Sequence, residues 1–234
     1  MKDIALPEAL AGAHARLEHA LHEAGRPLDA AALLAVSKTQ PAARLRQAYQ
    51  AGQRAFGENY LQEALDKQVA LADLDDIIWH FIGPLQSNKT RAVAEHFDWV
   101  HSVDRLKIAR RLSEQRPAGL APLNICLQVN VSREDSKAGV APEALVELAR
   151  ATHQLANVRL RGVMAIPAPA DTLAAQRQPL AELRTCLATL QKALPDAPLD
   201  TLSMGMSSDL EAAVQEGATL VRLGTAIFGP RRQA

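Results

Sequence analysis

Leu33-Leu34-Ala35-Val36-Ser37-Lys38 is a short apolar run that ends on a charge. Seven further short apolar runs follow it: Arg54 to Asn59, Ile77 to Gly83, Trp99 to Asp104, Leu123 to Asn130, Val158 to Pro167, Leu199 to Gly205 and Leu220 to Gly229. Between them, helical patterns start near Pro41, Tyr60, Lys89, Arg105, Pro142, Thr172 and Ser208, several closed by glycine, as in Ala51-Gly52 and Glu216-Gly217. Buried strands alternating with helices predict a parallel sheet, and eight such units in this length predict closure into a (β/α)8 TIM barrel of the α/β class. An open doubly wound sheet is the alternative, but no Gly-x-Gly-x-x-Gly follows the first run.

Ahead of the first run, Leu6, Leu10, Ala13, Leu17, Leu21 and Ala24 form a helical stripe, with Pro7 suited to the first turn and Gly25 to the stop. We therefore expect residues 1–234 to form one domain, with residues 1–26 as an N-terminal helix and residues 33–229 as the barrel. His14, His19 and His22 lie on that helix, but only His19 and His22 have metal-ligand spacing, so a solvated face is the better reading.

The 234 residues fit one barrel-sized unit, and 26 basic against 26 acidic residues leave no net field to recruit nucleic acid or an anionic membrane. No apolar run approaches a membrane span, and Met1-Lys2-Asp3-Ile4 lacks a secretory stretch, so a cytoplasmic protein is expected. Cys126 and Cys186 have no paired spacing and read as core thiols.

In such barrels the working residues sit at the C-terminal ends of strands. Those ends here carry Lys38, Asn59, His80 to Gly83, Ser102 to Asp104, Asn130, Met164, Ser203 to Met206 and Arg222 to Thr225. Lys38 stands out, because the six other lysines lie in helical or loop patterns with polar neighbours. A lysine at a strand end is partly desolvated, which disfavours its ammonium and prepares the amine to condense with a carbonyl; a lysine snorkelling into solvent is the competing reading. Ser203-Met204-Gly205-Met206-Ser207-Ser208 leads into Ser208-Asp209-Leu210-Glu211, a capping-box pattern whose small-residue turn would expose backbone N–H groups to an anion. Arg222-Leu223-Gly224-Thr225 adds a glycine that lets a phosphate approach the backbone and a hydroxyl to hold it, although either turn alone is ordinary loop chemistry. An amine beside a phosphate site implies a ligand with an aldehyde and a phosphate, and pyridoxal 5'-phosphate (PLP) has both.

The chain resembles the PLP homeostasis proteins (the YggS/PROSC family), whose fold is similar to the barrel domain of alanine racemase. The resemblance rests on Val36-Ser37-Lys38-Thr39, Phe56-Gly57-Glu58-Asn59-Tyr60, His80 to Lys89, His101-Ser102-Val103-Asp104, Arg161 to Pro167, Ser203 to Ser207 and Arg222 to Gly229, and so spans almost the whole chain in order. It implies that Lys38 forms the Schiff base, that Arg222 faces the pyridine nitrogen, that Asn59 lines the ring, and that Ser203, Gly224 and Thr225 hold the phosphate. An arginine there stays protonated and keeps the ring nitrogen unprotonated, which weakens the ring as an electron sink.

Two function classes compete. A racemase needs acid/base groups on both faces of the cofactor, and in alanine racemases a tyrosine from a second domain serves one face. The chain ends five residues after Gly229, so that domain is not expected, and Tyr49 and Tyr60 both lie in helical segments. A Schiff-base aldolase would place its lysine on the sixth strand, where Val158 to Pro167 has none. We therefore expect a PLP carrier without robust catalysis of its own, acting as a monomer, with apo PLP-dependent enzymes as its partners. Lys137, in the polar stretch after the fifth run, is expected either to be a solvated loop lysine or to accept PLP transiently as it leaves Lys38.

Overall fold

The computed structural model describes residues 5–134 and 137–229. Its eight parallel strands are β1 (Ala32–Val36), β2 (Ala55–Glu58), β3 (Ile78–Phe81), β4 (Trp99–Val103), β5 (Leu123–Gln128), β6 (Val158–Met164), β7 (Thr201–Ser203) and β8 (Leu220–Leu223), closed in sequence order into a barrel. The helices are α1 (Leu6–Glu23), α2 (Ala42–Gln50), α3 (Leu61–Ala70), α4 (Thr90–His96), α5 (Leu106–Gln115), α6 (Leu145–His153), α7 (Leu173–Ala193), α8 (Leu210–Gln215) and α9 (Thr225–Phe228). The expected TIM barrel is therefore the observed one, and α1 precedes it.

Strand alternation sorts the core into two layers. Phe56, Phe81, Val100, Ile125, Leu127, Leu202, Val221 and Leu223 belong to the main buried cluster with the helices' apolar faces. Leu34, Ile82 and Leu220, with Val36 and Ala55 against them, form a separate cluster. Gly57 belongs to that second layer, since a Cβ on it would meet Ile82 Cδ1 at 3.1 Å and Leu34 Cδ2 at 3.2 Å. We read this smaller cluster as the barrel's interior plug.

Two local expectations are corrected. The run from Leu220 to Gly229 is not one strand: β8 ends at Leu223 and α9 begins at Thr225, with Gly224 between them. The capping box at Ser208 does not form either, for α8 starts at Leu210 with Asp209 as its N-cap. Asp209 Oδ1 instead accepts from Met206 N at 2.6 Å, tightening the turn after β7, and Glu211 is held by a bidentate pair with Arg16 of α1. The α1 histidines are exposed as expected, and among the described residues no group of His, Cys, Asp and Glu is arranged to hold a metal. Cys126 and Cys186 are buried and free, and burial pushes their thiols up, to about 12 and about 11. No helix among the described residues is long and apolar enough to cross a membrane.

Candidate functional site

The site is built by register. β1 pairs with β8 with Ala35 opposite Leu223, so Val36-Ser37-Lys38 and Gly224-Thr225 leave the barrel side by side. A Cβ on Gly224 would stand 3.2 Å from Val36 O, which shows how closely the two segments pass. The N–H of Ser37 still bonds to Gly57 O at 3.0 Å, so the strand alternation continues past β1. With Leu34 and Val36 in the interior cluster, that alternation turns half-buried Lys38 inward and Ser37 outward.

Asn59 follows β2 with the inward parity of Ala55 and Gly57, and its Oδ1 is buried with no hydrogen-bond partner among the described residues. A buried acceptor left this way normally waits for a donor. Its backbone is held from the next loop: a Cβ on Gly83 would fall 2.1 Å from Asn59 O, so only glycine allows the approach. Thr225 is exposed at the start of α9, and Gly205 sits at φ +94° in the turn after β7.

Ser203 and Arg222 meet inside the barrel. Arg222 Nη1 donates to Ser203 Oγ at 2.8 Å, and Nη2 donates to Ala165 O at 2.8 Å. The chain of bonds goes on: Ser203 Oγ lies 2.8 Å from His101 Nδ1, and His101 Nε2 lies 2.9 Å from His80 Nδ1. A guanidinium only donates, so Ser203 accepts from Arg222. If Ser203 then gives its own proton to His101 Nδ1, both ring nitrogens of His101 are satisfied, with His101 donating from Nε2 to His80 Nδ1. His80 also stacks on Trp99 with ring centroids 5.4 Å apart. Burial pushes Arg222 down to about 10, still protonated at neutral pH, and pushes His80 down to about 3; His101 is held well below its ordinary value by burial, then by His80 and Arg222.

These two histidines stay neutral in the fold and protonate near pH 6.5 once unfolded. Their folded values are depressed, so the stability they contribute is complete above pH 6.5 and declines as pH falls toward about 3. Each adds a slope of up to about 1.4 kcal/mol per pH unit. The urea midpoint should therefore drop on acidification from pH 6.5 to 4.5, and less steeply in His80→Gln. Equal slopes in the two proteins would contradict neutral burial of His80.

A second polar cluster lies on the outer side of the β1 and β2 ends. Glu58 and Lys67 are both buried, Lys67 at 4% exposure. Lys67 Nζ donates to Glu58 Oε1 at 2.7 Å, to Glu63 Oε1 at 2.5 Å and to Ser37 O at 2.8 Å. Ser37 Oγ donates to Glu58 Oε1 at 2.6 Å, and Thr39 N donates to Glu63 Oε1 at 2.6 Å. Burial, more than its partners, holds the Glu58 carboxyl above its ordinary range. The sequence reading put Lys67 among polar helical neighbours; its aliphatic position next to Ala64 was the only sign of burial.

The structure thus brings Lys38, Asn59, Ser203, Arg222, Gly224 and Thr225 to the C-terminal end of one barrel. Lys137 is exposed in the loop after β5, and its carbonyl accepts from Asn130 Nδ2 at 3.3 Å. Tyr49 is elsewhere: it bonds to Asp76 ahead of β3 and lies under Arg54 ahead of β2, at the opposite end of the barrel. His101, Glu58 and Lys67 belong to the site's surroundings without having stood among the strand-end candidates, and His80 stood there with no role assigned.

Residues 14–232 match the family described as alanine racemase, N-terminal domain. A pyridoxal phosphate homeostasis protein of Pseudomonas aeruginosa is 63% identical over 226 residues, covering 97% of this chain and 96% of its own. Its counterpart in Escherichia coli K12 is 50% identical over 233 residues, covering 99% and 98%. Among solved structures, PipY of Synechococcus elongatus with PLP bound superposes with a TM-score of 0.85 at 43% identity, over 96% of this chain and 100% of that one. Alanine racemase from Corynebacterium glutamicum, 18% identical with a TM-score of 0.68, shares the fold over 97% of this chain and 62% of its own.

Proposed function

Because the chain belongs to the alanine racemase N-terminal domain family, and within it to the pyridoxal phosphate homeostasis proteins, we propose that it carries PLP on Lys38 as a Schiff base and serves intracellular PLP homeostasis as a carrier. The observation that bears most weight is the β1–β8 register, which brings an inward lysine and the Gly224-Thr225 turn out of the barrel as neighbours. PLP supplies an aldehyde for the amine and a phosphate for the turn. The residues present fit it: Asn59 has a buried acceptor with no partner among the described residues, Gly224 passes close to Val36 ahead of the exposed Thr225, and Arg222 is a buried cation.

In this reading Lys38 binds the aldehyde carbon, Asn59 lines the ring, and Gly224, Thr225 and Ser203 hold the phosphate. The Ser203 hydroxyl is engaged with Arg222 and His101, so the backbone that Ser203 leads into is the part offered to the phosphate. Arg222 faces the ring nitrogen. A guanidinium that remains protonated at neutral pH disfavours a proton on that nitrogen and so weakens the ring as an electron sink, which supports a carrier over a catalyst. Tyr60 is the one observation on the side of weak racemase activity, being 56% exposed at the N-terminus of α3 beside Asn59.

We expect the loaded protein, acting as a monomer in the cytoplasm, to pass PLP to apo PLP-dependent enzymes. Lys137 would accept the cofactor in transit, being an exposed amine in the loop after β5 that can exchange an imine. The test is stopped-flow transfer to a panel of apo-enzymes. Lys137→Ala should leave occupancy of Lys38 unchanged and slow release severalfold; an unaltered rate would remove Lys137 from the route. Amino-acid racemisation at enzymatic rates by the loaded wild type would overturn the carrier assignment.

A further inference from the structure

Strand alternation gives the cluster of buried Glu58 and Lys67 with partly exposed Glu63 a meaning beyond stability. Ser37 and Thr39 flank Lys38, and both are gripped from the outer side of the barrel. The Ser37 carbonyl and hydroxyl are held by Lys67 and Glu58, at 2.8 and 2.6 Å, and the Thr39 N–H is held by Glu63 at 2.6 Å. Lys67 joins the two grips, since its three donated bonds reach Ser37, Glu58 and Glu63. Gln40 N closes the turn on Ser37 O at 3.0 Å.

Thr39 sits at φ +64°, in the left-handed region, where a β-branched residue is strained. Such a conformation persists only when its surroundings over-determine it. The Glu63 carboxylate on the Thr39 N–H is a charge-assisted bond well suited to that task.

We propose that Lys67 and Glu63 are positioning residues that hold the Ser37–Thr39 backbone in a strained turn so that the Lys38 amine is presented to the barrel mouth. The proposal rests on the assignment of Lys38 as the PLP lysine. All three ammonium protons of Lys67 are engaged by acceptors, so it serves as a clamp and not as a second imine-forming amine.

The test uses the full chain and two clamp variants, Lys67→Met and Glu63→Ala. Glu63 is partly exposed, so Glu63→Ala keeps the test open if Lys67→Met folds poorly. In the apo-protein, hydrogen exchange at the Thr39 amide should quicken about tenfold or more once its charged acceptor or the linking ammonium is removed. With PLP added, the fraction trapped on Lys38 by borohydride at limiting PLP should fall by a similar factor. Adding Thr39→Gly, which occupies the turn without strain, should recover at least half of the trapped fraction in either background, an effect that general destabilisation would not give. Wild-type exchange at Thr39 together with wild-type trapping in both variants would overturn the clamp, as would loss of trapping that Thr39→Gly leaves untouched. If wild type itself carries no adduct on Lys38, the PLP assignment fails, and the exchange measurement still reports on the clamp.

Discussion

Lys38→Ala protein mixed with one equivalent of PLP is expected to remain without the imine absorbance band, while the wild type turns yellow. The loss is complete because an imine needs the amine itself, and Lys67, the other lysine close to the β1 end, is an ammonium bound to three oxygens. The fold should survive. Lys38 is half-buried after the end of β1 and outside the apolar clusters, so its truncation should leave the protein folded, at a cost within the ~0.5–3 kcal/mol of an ordinary point substitution. Absorbance and urea unfolding on the same sample separate the two effects. A persistent imine band in Lys38→Ala would place the cofactor on another amine.

The second large effect comes from a residue with no functional group. In Gly83→Ala the new Cβ would lie 2.1 Å from Asn59 O and 2.8 Å from Asn59 Cα and C, all of them backbone. No rotamer relieves a clash of that kind, so the loop after β3 or the loop after β2 must move. The Gly83 carbonyl accepts from Ser102 Oγ at 2.6 Å, which ties the first of these to β4, and the displacement should fall largely on Asn59. We expect a stability loss of about 3 kcal/mol, at the upper end of ordinary overpacking, or roughly 6–12 °C in Tm. PLP binding should weaken with it, since Asn59 moves from its place at the mouth. Gly12→Ala is the control: Gly12 lies in α1 with nothing within 4 Å of a new Cβ, and alanine there should stabilise by about 0.5–1 kcal/mol. Calorimetry and PLP titration of both variants check the pair; a Gly83→Ala protein as stable as wild type would show that the two loops do not touch.

The barrel was legible because its signal is local. Eight apolar runs separated by helical patterns need no knowledge of what touches what, and Lys38 drew attention because it interrupts one of them. The failures are local as well. Leu220 to Gly229 is apolar apart from Arg222 and Thr225, and nothing in that composition tells a four-residue strand from the short helix after it until Gly224 is seen to carry the break. Ser208-Asp209-Leu210-Glu211 has the letters of a capping box, yet Glu211 is drawn away by Arg16, a residue 195 positions distant.

What remained hidden depends on register. His80 and His101 occupy matching inward positions on adjacent strands, but β3 pairs His80 with Trp99, and one step of slip would separate the two rings. Ser203 joins them across 102 residues, and Arg222 joins Ser203 from the neighbouring strand. Lys67 illustrates the same point in a helix, where it shares its buried face with Ala64 and would pass for a solvated lysine without Glu58 opposite. Strand-end positions were readable one at a time, whereas the networks between them require the closed barrel.

The central claim is that this barrel holds PLP through one amine. Its most direct test is borohydride reduction of the PLP-loaded wild-type protein, followed by proteolysis and mass spectrometry of every lysine-containing peptide. A stoichiometric reduced pyridoxyl adduct is expected on Lys38, with at most a minor population on Lys137. A stoichiometric adduct on any other lysine, or none at all, would contradict it.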